Sequence, residues 1–165
     1  MEASPVERRG YLDFSKLHRS EFFGFFGAAV LAVSLFLPWF ATDSGNANSK
    51  IGGSHTGTFT AWKTFGSLPW WLLAACTAPF ILAWIIARGH ALTWRPGEIT
   101  MIVGITAFVL IVLNGVILGK PGSPPSTISF RYGYFVALLG SAIICAGGVI
   151  RQSEGARGRK PPGTL

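Results

Sequence analysis

Four stretches of this chain contain no Asp, Glu, Lys or Arg and are dominated by apolar residues: Phe22 to Ala41, Leu68 to Ala87, Ile99 to Leu118 and Tyr132 to Ile150. Three hold 20 residues and the last holds 19. A helix rises about 1.5 Å per residue, so each stretch matches a hydrocarbon core about 30 Å thick. Inside lipid every backbone amide and carbonyl must be satisfied within the segment, which favours helix. The chain therefore reads as all-α, an integral membrane four-helix bundle. Its parts are a head at 1–21, a transmembrane domain at 22–150 with an outer loop at 42–67, and a tail at 151–165. The tail is rich in Gly, Pro and basic residues and reads as disordered.

The formal net charge is +7. Such an excess could serve nucleic acid or an anionic membrane surface, and its placement decides. Arg8, Arg9, Lys16 and Arg19 precede the first span, Arg88 and Arg95 join spans two and three, and Arg151, Arg157, Arg159 and Lys160 follow the fourth. Only Lys50, Lys63, Lys120 and Arg131 fall in the other two loops. By the positive-inside rule both termini are cytoplasmic, in a multi-pass protein of the cell membrane. The excess is a topology signal, and nucleic acid is not an expected partner. Single cysteines at Ser49 and Ser153 would then label with an impermeant thiol reagent only at Ser49.

The first stretch follows a 21-residue head and exceeds a usual signal-peptide core, which favours a retained anchor. Cleavage after Gly45-Asn46-Ala47 is the alternative and would leave three spans. Aromatic residues agree with the topology. Trp39, Trp70, Trp71, Tyr132 and Tyr134 fall at outer ends, and Phe22, Phe23, Trp84 and Trp94 at or near inner ends, as expected at headgroup depth. In the head, Tyr11, Phe14 and Leu17 could line one side of a short surface helix, against a loosely ordered polar alternative.

Pro69 suits the first turn of span two, and Pro79 within it predicts a kink, with Thr77 or Cys76 helping to satisfy the freed groups. The run from Asp43 to Ser54 favours turns, while Thr56 to Phe65 suggests a hairpin or an interfacial segment. Pro121, Pro124 and Pro125 should stiffen the last outer loop.

Chemistry in such a bundle would show itself as ionisable residues at membrane depth, because burying them is costly unless function keeps them. The four stretches hold none. A proton-coupled carrier lacks its embedded carboxylate, with Glu21 and Glu98 only at span edges. A haem protein lacks paired histidines, since His18, His55 and His90 lie outside the spans. A thiol oxidoreductase lacks cysteine pairs, Cys76 and Cys145 being single. No metal and no cofactor is expected. Two polar features stand out. Asn114 in span three could hydrogen-bond a neighbouring helix or line a small polar cavity. Arg88, His90, Trp94 and Arg95 could hold a lipid headgroup or simply anchor the inner face.

At about 100° per residue, Gly133, Ala137, Gly140, Ser141, Cys145 and Gly148 gather on one side of span four, with Ile144 the exception. Phe135, Leu139, Ile143 and Ile150 gather opposite, with Ala146 the exception. Small residues let backbones approach in lipid, so the small side is the expected packing face.

Leu37-Pro38-Trp39-Phe40, Thr60-Ala61-Trp62-Lys63-Thr64-Phe65, and Arg131-Tyr132-Gly133-Tyr134 leading to Gly147-Gly148 and Arg151 together resemble a set of uncharacterised four-span membrane proteins of actinobacteria. The resemblance covers residues 22–155 and implies the same topology without a catalytic residue. The expected function is non-enzymatic: an accessory subunit or scaffold acting through a membrane protein partner or as a homo-oligomer in the lipid bilayer. The rival is a carrier of lipid or small molecules, or a membrane enzyme, using the outer loop and the Asn114 region.

Overall fold

The computed structural model describes residues 19–53, 56–88 and 96–157. In chain order it contains α1 (Arg19–Ser34), β1 (Pro38–Ala41), β2 (Thr58–Thr60), the one-turn α2 (Ala61–Thr64), α3 (Leu68–Ala87), α4 (Pro96–Val112) continuing as a π-helical turn over Leu113–Ile117, β3 (Ser129–Phe130) and α5 (Tyr132–Arg157). The protein is mostly helical, and among the described residues three helices are long and apolar enough to cross a membrane: Leu68–Ala87, Gly97–Ile117 and Tyr132–Glu154. Large side chains turned outward along them, such as Phe80, Ile81, Ile105, Val109, Phe135 and Leu139, give the bundle an apolar exterior. The Tyr11, Phe14 and Leu17 segment, His90, Trp94, Arg95 and the end of the tail lie outside the described residues.

α5 packs closely along both α1 and α4, and α3 closes the ring against the other sides of α1 and α4. Glycine sets the spacing. A Cβ on Gly140 of α5 would lie 2.7 Å from the backbone nitrogen of Leu31 in α1, and one on Gly27 of α1 would lie 2.7 Å from that of Ile144. Two backbones this close exchange dispersion contacts along their whole crossing, which is how helices associate in lipid. α3 meets α1 through side chains instead: Phe25 stacks on Phe80 at 4.9 Å, and Pro79 is fully buried beside Gly24. Thr77 Oγ1 donates to Ala74 O at 2.7 Å, one carbonyl before that of Ala75, which Pro79 deprives of its amide.

The first apolar stretch is not one helix. α1 ends at Ser34, after 16 residues, and the chain tightens through bonds from Leu35, Phe36 and Leu37 N to the carbonyls three residues back. Pro38 disfavours helical geometry at Leu37 and cannot itself donate. Trp39 then folds back, and its Nε1 donates to Ser34 O at 2.7 Å, satisfying one of the carbonyls a helix end leaves open. Beyond that point Pro38–Ala41 is the central strand of a three-stranded antiparallel sheet of order β2-β1-β3, so the fold is helical with a small sheet rather than purely α.

In the sheet Phe40 pairs with Phe59 on one side and Phe130 on the other, and a bulge lies between Pro38 and Phe40. The outer loops are tied together. Lys50 and Ser123 exchange backbone hydrogen bonds at 3.0 and 2.9 Å, and Ser49 Oγ accepts from Asp43 N and from Thr127 Oγ1. Ser49 is therefore fully buried, so it cannot serve as the exterior label site that its place in a polar run suggests. At the other end, α5 continues about two turns past Ile150, so the first part of the tail is helix rather than disordered. Its polar side chains grip α1 and α4, contacts that composition does not display.

Candidate functional site

The sheet and the loops beside it form a cap on one end of the helices, built around Trp39 and Phe40, both 0% exposed. Trp39 meets Tyr134 edge-on at 5.7 Å and Phe65 at 6.1 Å, while Phe40 lies 5.5 Å from Phe130 and 5.9 Å from both Phe65 and Tyr134. Edge-to-face ring pairs add to the area they bury. One buried cluster runs from Ala28 and Leu31 of α1 through these rings to Ile51 and Ile128 of the cap and Ile111 of α4. Trp39 and Tyr134 are thus core residues and not headgroup anchors. Trp70, Trp71 and Tyr132, by contrast, are each more than half exposed.

Asn114 lies in the π-helical turn, and its Nδ2 donates to Leu110 O at 2.9 Å, within its own helix. Tyr134 Oη donates to the next carbonyl, Ile111 O, at 3.3 Å. Two side chains thus bond consecutive carbonyls where α4 gives way to the wider π turn. Gly115 lies beneath the Tyr134 ring, where any Cβ would collide with it. This arrangement assigns Asn114 to the helix backbone.

α5 has its small residues against its neighbours. Gly133 meets Pro38 and Leu37, Gly140 meets Leu31, Cys145 lies against Gly104, and Gly148 lies against Met101 and Gly97. Ala137, Ser141 and Ile144 are fully buried, and Ser141 Oγ donates to Leu138 O at 2.9 Å. Phe135 and Leu139, by contrast, are each 58% exposed. Ala137→Leu or Gly148→Ala should cost about 1–3 kcal/mol by overpacking, whereas Leu139→Ala should change little. Thermal unfolding in detergent decides this, and equal losses on the two faces would contradict it.

Arg88 caps the far end of α3, its guanidinium 4.6 Å above the Trp84 ring, a cation–π contact on an exposed indole. On the same side, the ends of α1, α4 and α5 carry a polar group that reading the spans one at a time misses. Arg151 Nε lies 3.2 Å from Glu21 Oε1, with side chains 16% and 5% exposed. Ser20 Oγ donates to Glu154 Oε2 at 2.8 Å, and Gln152 Nε2 donates to Glu98 Oε1 at 3.4 Å. The signal for the ion pair was available, because Glu21 immediately precedes the first apolar stretch and Arg151 immediately follows the last. Opposite charges at matching depth on adjacent antiparallel helices are placed to meet.

Among the described residues, no group of three or more His, Cys, Asp or Glu is arranged to hold a metal ion. One cleft on the cap, lined by Ile51, Gly52, Thr56, Thr58, Phe59 and Lys63, has a volume of about 460 Å³. No family model, curated protein or solved structure matches the chain.

Proposed function

We propose that the protein is a non-enzymatic, four-span component of the cell membrane that works as an accessory subunit or scaffold, with α1 as the fourth span, both termini cytoplasmic and the cap outside. The continuous core joining cap and helices carries this reading. With Trp39, Tyr134 and Ile111 interlocked, cap and bundle form one body, which suits a fixed contact surface better than the rocking halves of a carrier. The charged side chains of the long helices α1, α3, α4 and α5 lie towards their ends remote from the cap, leaving the intervening length apolar. That distribution supports passive packing in lipid over ion-coupled transport.

Purification in mild detergent tests it. A stoichiometric membrane protein partner, or a defined homo-oligomer, is the expected result. A monomer carrying a stoichiometric lipid or small molecule would favour a carrier or membrane enzyme and contradict this proposal.

A further inference from the structure

The cap segments 35–67 and 118–131 contain four cations, Lys50, Lys63, Lys120 and Arg131, and a single acid, Asp43. Lys120 is occupied within the fold: its Nζ donates to Ile128 O at 2.7 Å and lies 5.1 Å from the centre of the Phe130 ring. Asp43 is also engaged locally, its Oδ1 accepting from Gly45 N at 2.9 Å. Lys50 and Lys63 differ. Both are exposed, and their ammonium groups have no carboxylate or carbonyl partner among the described residues.

These two lysines line adjoining clefts that share Gly52. One, of about 460 Å³, is formed by Ile51, Gly52, Thr56, Thr58, Phe59 and Lys63. The other, of about 340 Å³, includes Lys50, Asn48 and Ser123. Ile51 and Phe59, 1% and 7% exposed, are fixed in the core beneath the first cleft and make part of its wall apolar. Thr56 and Thr58 are exposed, and their hydroxyls are uncommitted among the described residues. The result is a concave surface with an apolar base, hydroxyl donors and two unneutralised ammonium groups.

We infer that the joined cleft binds a small organic phosphate, with Lys63, Thr56 and Thr58 reaching the phosphate oxygens, Lys50 adding charge from the adjoining cleft, and the organic part resting on Ile51 and Phe59. Ammonium and hydroxyl donors suit an oxyanion, and charge-assisted bonds are the strong ones in an open site. The apolar wall selects an organic phosphate over a bare ion, and the volume suits a molecule of headgroup size. The phosphate could belong to a lipid headgroup or to a free metabolite. The inference concerns the cleft alone and stands or falls separately from the scaffold reading.

The test is residue-resolved lysine acetylation of the full chain in nanodiscs, read by mass spectrometry. In phosphatidylcholine discs, glycerol 3-phosphate should slow acetylation of Lys63 and Lys50 several-fold and leave Lys120 unchanged, which identifies a freely diffusing ligand. If protection appears only when phosphatidylglycerol is in the disc, with Lys120 again unchanged, the ligand is a lipid headgroup. Lys63→Gln, an exposed change, should abolish protection of Lys50 without moving the melting temperature. Absence of protection in both arms, or equal protection at Lys120, overturns the inference, as does full protection of Lys50 in the Lys63→Gln variant.

Discussion

Trp39→Ala is expected to destabilise the protein by about 3–5 kcal/mol, the range for deleting a large buried aromatic side chain. The residue is fully buried where the cap meets the helices, and its loss would open a cavity bounded by Phe65 and Tyr134. It would also remove the shorter of the two hydrogen bonds that Ser34 O accepts at the end of α1. Trp39→Phe separates the two contributions. It keeps much of the apolar volume and loses the hydrogen bond, worth about 0.5–1.5 kcal/mol net, while Ser34 O keeps its bond from Leu37 N at 3.1 Å. Chemical unfolding in detergent should therefore rank wild type above Trp39→Phe above Trp39→Ala. Protease sensitivity should rise first in the 42–53 loop, because the cap loses its central ring. An alanine variant as stable as wild type would mean that the cap does not rest on Trp39.

Arg151→Ala should be of similar size, about 3–5 kcal/mol, the range for removing one member of a buried ion pair. Glu21 would remain, 5% exposed, at the end of α1. The pair itself is imperfect: Arg151 Nη1 is buried without an acceptor among the described residues, so the desolvation it suffers is incompletely repaid. Glu21→Leu with Arg151→Met should accordingly recover most of the loss, since an apolar replacement of a buried pair is often neutral or stabilising. A double-mutant cycle on melting temperature checks this. If the double variant is no better than the sum of the singles, the two side chains act independently.

How much of this was legible in the sequence varies by element, for physical reasons. Leu68 to Ala87 can be read directly, because Pro69 marks a first turn and the apolar run stops at Arg88. α4 and α5 follow from hydropathy in the same way. Residues Leu37 to Ala41 were illegible as a strand, since a short apolar aromatic run fits helix and strand equally, and only pairing with Phe59 and Phe130 decides. The same ambiguity made Trp39 and Tyr134 look like interfacial anchors. A ring at a span end can face lipid or core, and which one depends on a cap assembled from loops distant in the chain. Asn114 was visible as an unusual polar residue in an apolar helix. Its bond to Leu110 O was not, because a π turn has no simple periodic signature. The polar base shows only when the spans are read together, because Glu21 and Arg151, which flank the first and last apolar stretches, are 130 residues apart.

The central claim is that the cap faces outward from a four-span bundle with both ends of the chain inside. Single cysteines in a background lacking Cys76 and Cys145 test it most directly, at Ser44 and Ser153, both exposed in the fold. In intact cells an impermeant maleimide should label the Ser44→Cys protein, and the Ser153→Cys protein should react only after the membrane is permeabilised. Labelling at position 153 in intact cells, or protection of position 44 until permeabilisation, would contradict the account.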